Sequence, residues 1–197
     1  MDQKSKSAYT DFISFGRGYW EKENIDDSKW NNFRWQLQNR VTNLSQLESH
    51  LNLSNKERNG VILSGDKLSL SITPHFFNLI DANNPDCPIR KQVIPTVDEI
   101  SVGSEEMSDP CGEDSHMPVP GLVHRYPDRV LFLLTDRCAS YCRYCTRCRV
   151  VSGAGENNLK TNFEDAFQYL ENNKNIRDVL FSGGDPLLYA DNKLEKI

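Results

Sequence analysis

Apolar side chains recur at helical spacing through the first eighty residues, which predicts a helical region over 1–80. A first helix between residues 28 and 41 would bury a single apolar stripe, formed by Trp30, Phe33, Leu37 and Val41. A second and shorter helix would bury the side chains of Leu44, Leu47 and Leu51. These stripes indicate a hydrophobic core rather than contacts to a cofactor.

Polar residues mark the beginning of two further helices. Ser54 and Glu57 have the spacing of a capping box, so a helix is predicted to begin at Asn55 and to end near Gly60. The Thr-Pro pair at 73–74 is typical of an N-cap followed by the first helical turn. The helix that follows would direct three apolar side chains inward, namely Phe76, Leu79 and Ile80.

Six prolines interrupt the chain between Asp81 and Leu122. Proline removes a backbone donor and cannot continue a regular hydrogen-bond ladder, so residues 81–122 are predicted to form an extended, proline-rich connection. Because a structureless loop of that length is uncommon, short helical turns are expected inside it, with one at 96–101.

Strand and helix patterns alternate after this connection. An apolar run at 130–135 is typical of a strand covered on both faces, and a second strand is predicted at 178–181. Between them Asn162 begins a helix whose buried face comprises Phe163, Ala166, Phe167 and Leu170, and a last helix begins at Asp191. A strand, a crossover helix and a strand in this order form a right-handed parallel unit. The predicted fold class is therefore α/β. Residues 123–197 would form the first part of this domain.

Composition and charge narrow the classes of function. The chain of 197 residues has a net charge of −5, which argues against a general binder of nucleic acid or of anionic membranes. No apolar stretch approaches the length of a membrane-spanning helix, and the first residues lack the apolar core of a signal peptide. A cytoplasmic protein without nucleic-acid or membrane partners is therefore expected, and its thiols should remain reduced.

Four of the six cysteines lie within the twelve residues CASYCRYCTRCR at 138–149. Three of them, Cys138, Cys142 and Cys145, follow the predicted strand with C-x3-C-x2-C spacing. Thiolates are typical ligands of soft metals and iron–sulfur clusters, and a [4Fe–4S] cluster held by only three of them keeps one open iron. Cys148 could supply a fourth ligand, so a non-catalytic ferredoxin-like or zinc-binding protein remains an alternative.

The second predicted strand leads into Gly183, Gly184 and Asp185. Adjacent strands lie about 5 Å apart, so this loop and the cysteines can share one site. The two glycines would let the backbone approach a ligand closely, with N–H groups free to bind it. The alternative is that the segment is only a tight turn that leaves the strand.

Arginines surround the cysteines, and guanidinium groups bind carboxylates through two parallel hydrogen bonds. Those closest in sequence are Arg137, Arg143, Arg147 and Arg149, for which solvated charge or local ion pairing is the alternative interpretation. Upstream of the first strand, Arg125 and Arg129 could bracket a phosphate, or Arg129 could pair with Asp128. The residues alone therefore predict a cluster-bearing α/β domain that binds a small anionic ligand.

At these residues the sequence resembles the radical S-adenosylmethionine (radical SAM) enzymes, and closely the lysine 2,3-aminomutase family. The superfamily's C-x3-C-x-aromatic-C signature is matched by Cys138, Cys142, Tyr144 and Cys145. Longer segments at 84–95, 112–138 and 177–188 are similar to the aminomutases. The resemblance implies a helical N-terminal region followed by the first βα units of a partial (βα)6 TIM-like barrel. An incomplete copy without the pyridoxal-binding lysine is expected, because the chain ends about two units into that barrel.

The resemblance also implies roles for individual residues. The ligands of a [4Fe–4S] cluster would be Cys138, Cys142 and Cys145. The residues near S-adenosylmethionine would be Gly183, Gly184 and Asp185 at its methionyl amine and Tyr144 at its adenine. Arg147 corresponds to the arginine that pairs with the substrate carboxylate, while Arg125 and Arg129 correspond to arginines that contact pyridoxal 5′-phosphate.

The family's activity is an isomerase reaction. Reductive cleavage of S-adenosylmethionine gives a 5′-deoxyadenosyl radical, which drives a pyridoxal-phosphate-dependent 1,2-amino migration on an amino acid. The implied partners are a small-molecule amino acid, which could be lysine, glutamate or arginine, and an electron donor such as flavodoxin or ferredoxin. A homo-oligomer is expected for the full-length form. A radical SAM enzyme that acts on a lysine of a protein is a further alternative.

Overall fold

A computed structural model describes residue 20 and residues 24–65, 68–101, 103, 106–151 and 159–197. The part of the predicted helical region before residue 20 lies outside the described residues. The described α-helices, α1 to α8 in chain order, are Asp27–Trp30, Phe33–Gln38, Leu44–Glu48, Asn55–Leu63, Pro74–Asn78, Pro88–Val93, Phe163–Asn172 and Asp191–Leu194. The described strands are β1 (Leu122–Tyr126), β2 (Arg129–Thr135) and β3 (Asp178–Gly183).

The single helix predicted over 28–41 is wrong, because two helices occupy this segment. The side chain of Asn32 begins α2 by accepting a hydrogen bond from the Trp35 N–H at 3.0 Å. Phe33 is consequently 49% exposed, and Val41 lies beyond the helix in a β-bridge. Asparagine side chains compete for backbone hydrogen bonds and favour caps over helix interiors, a preference that apolar periodicity does not reveal.

Helix α3 and the beginning of α4 are confirmed, including the reciprocal capping box of Ser54 and Glu57. Helix α4 nevertheless continues past Gly60 to Leu63, so the predicted end is wrong by about one turn. A Cβ on Gly60 would lie 2.6 Å from the Pro95 carbonyl oxygen. This glycine therefore allows α4 to approach the chain that follows α6, instead of ending the helix.

Side chains from several elements form the core of the helical region. Its buried members are Trp20, Ile25, Val41, Leu47, Leu51, Ile72, Phe77, Val93 and Ile94. Phe77 of α5 is buried although the pattern does not single it out, whereas the predicted Phe76, Leu79 and Ile80 are only partly buried. Helix α6 lies inside the predicted connection and adds Val93, so this core continues beyond residue 80. A 3-10 turn at Val97–Glu99 confirms the turn predicted for 96–101.

A buried ion pair joins α4 to α6. Arg90 is 1% exposed, and its Nε and Nη2 atoms donate to the two carboxylate oxygens of Glu57 at 2.6 and 2.9 Å. The same guanidinium donates to the carbonyl oxygens of Asn52 at 2.7 Å and Ala82 at 3.0 Å. Two helices and two connecting segments therefore meet at one guanidinium group.

Strand β2 lies between β1 and β3 in a three-stranded sheet. Strands β2 and β3 pair in parallel, as predicted, and α7 connects them with Asn162 as its N-cap. Helix α8 begins at Asp191, which also confirms the sequence pattern. Strand β1 is absent from the prediction. It pairs antiparallel with β2, and its sequence LVHRY ends in basic and polar residues that mask a strand pattern.

The two faces of the sheet have different partners. One face packs against α7 through a buried cluster of Leu122, Val130, Phe132, Leu134 and Ala166. The predicted helix face is confirmed, because Phe163, Phe167 and Leu170 pack against this cluster. Because strand side chains alternate between faces, Leu133 of β2 and its partner Ser182 of β3 lie on the opposite face.

The described part of the chain is thus a mixed α/β structure with a small sheet, which confirms the predicted class in its coarser form. The TIM-like barrel stays a prediction, as do the domain boundaries at 80 and 122. Among the helices of the described segments, none combines the length and the apolar character needed to cross a bilayer.

Candidate functional site

The carboxyl ends of β2 and β3 bring the two predicted loops together. The Gly184 N–H donates to the Thr135 carbonyl oxygen at 2.5 Å, and the Asp185 N–H donates to the Arg137 carbonyl oxygen at 2.7 Å. These hydrogen bonds extend the contact between the two strands into the loops that follow them. The segment that leads into Cys138 is therefore fixed against the segment that contains Gly184 and Asp185.

The two glycines are required by this contact. Gly183 has a φ of 104°, and a Cβ on Gly183 or on Gly184 would collide with the backbone of Thr135 or Arg137. The expectation that the N–H groups of this loop are free for a ligand is wrong for Gly184 and Asp185, because both donate to the cysteine-bearing segment. A ligand ammonium group needs acceptors instead, which backbone carbonyls and the Asp185 carboxylate can supply.

All six cysteines are free thiols, and Cys148 is the exposed member of the loop. Burial raises the pKa of Cys138 to about 12, and the like charges of Cys145 and Asp185 add to this rise. Burial is also the main cause that raises the pKa of Cys145. A metal that binds such thiols displaces their protons and supplies the missing positive charge. Thiols that are partly buried and close together are therefore better suited to binding a metal cluster than to existing as unbound thiolates.

The loop turns repeatedly through its cysteines. The Cys145 N–H donates to the Cys142 carbonyl oxygen and the Cys148 N–H to the Cys145 carbonyl oxygen, both at 3.2 Å. Within the described part of the chain, no three Cys, His, Asp or Glu side chains already form a metal-binding group. The cysteines fit a cluster by their number, chemistry and place on one loop. Their assignment as ligands stays a prediction.

Tyr144 lies at the edge of a cleft between this loop and the helical region. Its side chain is 67% exposed, and its hydroxyl donates to Gln92 Oε1 at 3.3 Å. The cleft has a volume of about 600 Å³, and Arg143 and Ile94 are among its other walls. An exposed aromatic ring held by one hydrogen bond can stack against a planar ligand.

The three arginines that follow Cys142 are each paired with an acidic side chain. The pairs and their N–O distances are Arg143–Glu99 at 2.7 Å, Arg147–Glu113 at 2.6 Å and Arg149–Asp114 at 3.0 Å. Ion pairing, which was the alternative interpretation, is therefore confirmed for Arg149. Arg137 is exposed, as solvated charge would be.

An acidic side chain binds one edge of the Arg147 guanidinium. Its Nε and Nη2 atoms contact Glu113 Oε1 at 2.8 and 2.6 Å, and its Nη1 atom lies 3.4 Å from Ser182 Oγ on β3. Glu113 thus binds the edge formed by Nε and Nη2. A second carboxylate can bind a guanidinium through the other edge, formed by Nη1 and Nη2. The predicted role of Arg147 as a carboxylate anchor is compatible with this geometry and stays a prediction.

The structure does not bring Arg129 to the cysteine loop. Arg129 begins β2, and a strand of that length places its two ends about 20 Å apart. Both of its contacts with Asp128 are 3.0 Å long, so local pairing is confirmed. Arg125 of β1 instead donates to the Cys111 carbonyl oxygen at 3.0 Å, two residues before the Glu113 that binds Arg147.

Removal of the Glu113 charge should loosen the segment that contains it. Glu113 is 4% exposed, so Glu113→Gln would leave the Arg147 guanidinium without its buried negative charge. We expect backbone amides of residues 109–117 to exchange hydrogen at least about tenfold faster in this variant. Asp114→Asn is the matched control, because Asp114 is the next residue and its paired side chain is 65% exposed. Unchanged exchange in Glu113→Gln would contradict the prediction.

Comparisons with known proteins identify relatives of this chain. A family model described as a 4Fe-4S single cluster domain matches residues 126–197. The L-lysine 2,3-aminomutase of Fusobacterium nucleatum is 45% identical over 174 residues, which cover 88% of this chain and 41% of that protein. The L-lysine 2,3-aminomutase of Clostridium subterminale is 43% identical over 175 residues, or 89% of this chain and 42% of that protein.

A relative with a different printed activity also matches. The glutamate 2,3-aminomutase of Clostridioides difficile is 34% identical over 209 aligned positions, covering 98% of this chain and 49% of that protein. Residues 126–197 thus match a class of domain that binds an iron–sulfur cluster. The chain belongs to the lysine 2,3-aminomutase family of radical SAM proteins. It spans about two fifths of the length of the lysine 2,3-aminomutases that it matches.

Sequence patterns miss three polar residues at this site. Glu99, Gln92 and Glu113 contact the loop from positions at least 34 residues away in sequence. An acidic segment around Glu113 and the capping position of Glu99 are visible in the sequence, but neither indicates a partner in the cysteine loop. Only the tertiary structure reveals these contacts.

Proposed function

We propose that the chain provides the cluster-binding and S-adenosylmethionine-binding part of a radical SAM amino-acid 2,3-aminomutase, which is an isomerase. The contact between the loops that follow β2 and β3 carries this proposal, since it holds Cys138 close to Asp185. Family membership supports it. Substrate, complete reaction and any homo-oligomer are proposals for the whole protein, because the chain spans only part of its relatives.

Different residues of the chain would bind the cluster and S-adenosylmethionine. The cluster ligands would be Cys138, Cys142 and Cys145, and one-electron reduction of S-adenosylmethionine is the chemistry that the cluster supplies when bound. The carbonyls of Gly183 and Gly184 and the carboxylate of Asp185 would accept hydrogen bonds from its amine. Tyr144 would stack on its adenine, beside the cleft that it borders. An external donor such as flavodoxin or ferredoxin would deliver the electron.

Arg147 would bind the α-carboxylate of the substrate amino acid. Glu113 and Ser182 would orient its guanidinium, so that the unused edge faces a carboxylate. Pyridoxal 5′-phosphate is proposed from the family alone, with Arg125 and Arg129 as its contacts. In the described structure Arg125 donates to the Cys111 carbonyl oxygen, and Arg129 pairs with Asp128 at the start of β2.

Anaerobic reconstitution tests this function directly. The full chain should take up about four irons, as a [4Fe–4S] cluster requires. Addition of dithionite and S-adenosylmethionine should then release methionine and 5′-deoxyadenosine. Asp185→Ala should retain its iron but lose most of this cleavage, because the amine acceptor is removed. Full iron content without any cleavage in the unmodified chain would contradict the proposal.

A non-catalytic metal protein is the second candidate. Cys148 follows Cys145 through the same turn that joins Cys145 to Cys142, so a fourth thiol lies next to the three expected ligands. Such a protein would hold iron or zinc through all four thiols and would not cleave S-adenosylmethionine.

A further inference from the structure

The helical region holds the cysteine loop along most of its length. Hydrogen bonds join residues 138–144 to residues 40–92 at several positions. They include Arg40 Nη1 to Cys138 O at 3.4 Å, Ser71 Oγ to Ala139 O at 3.3 Å, Thr73 N to Ser140 Oγ at 3.0 Å, Tyr141 N to Ser71 O at 2.9 Å, Arg143 N to Gln92 O at 2.7 Å and Tyr144 Oη to Gln92 Oε1 at 3.3 Å. The helical region is therefore a wall of the site.

Arg143 contributes a buried, charged side chain to this contact. Its side chain is 5% exposed although it lies between two expected cluster ligands in sequence. Nη2 and Nε contact Glu99 Oε2 at 2.7 and 2.9 Å, and Nη1 donates to the Leu68 carbonyl oxygen at 3.1 Å. The guanidinium thus points into the helical region. It is therefore not placed to serve as a substrate anchor.

Glu99 is itself fixed before it meets the loop. Its Oε1 atom accepts the Thr96 N–H at 3.1 Å, as part of the capping box of the 3-10 turn Val97–Glu99. A capped carboxylate offers Arg143 a partner that has already lost much of its freedom. Loss of the Glu99 charge would leave the Arg143 guanidinium, which is 5% exposed, without its ion-pair partner.

We propose that the helical region is a clamp on the cysteine loop, and that the Arg143–Glu99 ion pair is the positioning contact that keeps the loop ready for its cluster. The physical reason is conformational entropy, because a loop residue that is already ordered loses little further freedom when the cluster binds. The inference rests on the proposed function only in the identity of the bound group, a [4Fe–4S] cluster.

Two neighbouring carboxylates give a matched test in the full chain. Glu99→Gln removes the charge that holds Arg143, while Asp98→Asn removes the adjacent charge, whose pair with Lys56 is exposed. After anaerobic reconstitution, we expect Glu99→Gln to lose its cluster to an iron chelator at least about tenfold faster than the unmodified chain. Asp98→Asn should lose it at the unmodified rate. Equal rates in all three proteins would overturn the clamp.

A second comparison separates positioning from general loss of stability. Leu51→Ala removes a core side chain of the same helical region and should lower stability without altering the loop. The electron paramagnetic resonance spectrum of the reduced cluster should broaden in Glu99→Gln and remain unchanged in Leu51→Ala. The same broadening in both variants would overturn the positioning role.

A milder variant keeps the test informative if Glu99→Gln does not fold. Ser140→Ala removes the oxygen that accepts the Thr73 N–H, and it should speed cluster loss by a smaller factor of about three to ten. Cluster loss at the unmodified rate would count against the clamp. Failure of the unmodified chain to bind iron at all would instead refute the proposed function, so the two failures are distinguishable.

Discussion

Serine in place of Cys138, Cys142 or Cys145 is expected to abolish cluster binding, whereas Cys148→Ser should retain about four irons per chain. A serine hydroxyl is a hard, protonated group that does not replace a thiolate on iron. The three expected ligands are partly buried on one loop, while Cys148 is exposed. Iron content and the visible absorbance after anaerobic reconstitution measure the effect.

The control for these variants is Cys111→Ser. Cys111 is a free thiol outside the loop, so this change should leave iron content unaltered. Loss of iron in Cys148→Ser would show a four-thiolate site and would favour the non-catalytic protein. Retained iron in Cys138→Ser would contradict the ligand assignment, whichever function is correct.

Local patterns predict the elements of this chain well where a residue acts through its neighbours in sequence. The capping box at Ser54 and Glu57 and the parallel pair of strands on either side of α7 follow from such patterns. Gly60 is an exception, since only the proximity of Pro95 explains a glycine inside a helix. An isolated sequence contains no information about which backbone will approach that position.

The same difference between contacts local in sequence and contacts distant in sequence applies to the candidate site. The cysteine spacing and the two glycines indicate a cluster loop and its neighbour, because both motifs are contiguous in sequence. The partners of the arginines are not contiguous, so Arg143 and Arg147 look equivalent until Glu99 and Glu113 are placed beside them. One of these guanidinium groups is then part of the scaffold, and the other lies on the face of the sheet that carries Ser182.

Arg90→Met is expected to lower the free energy of unfolding by about 3–5 kcal/mol, the usual cost when one partner of a buried ion pair is removed. The Glu57 carboxylate would lose two hydrogen bonds from the guanidinium, and the carbonyls of Asn52 and Ala82 would lose their donor. Urea unfolding followed by circular dichroism measures the change. Lys91→Met is the matched control, because Lys91 is the next residue and its ion pair with Asp86 is exposed, so about 0–1 kcal/mol is expected.

The pH dependence of the same measurement identifies the charge that matters. Burial raises the pKa of Glu57, but hydrogen bonds from Arg90 and Ser54 outweigh it, so the pKa lies below its ordinary value of 4.5. A carboxyl with a lowered pKa contributes stability that is present above pH 4.5 and is lost as the pH falls through the lowered value. The stability difference between the unmodified chain and Arg90→Met should therefore narrow in acid. A difference that does not narrow as the Glu57 carboxyl is protonated would mean that packing of the Arg90 side chain, rather than its charge, stabilises the helical region.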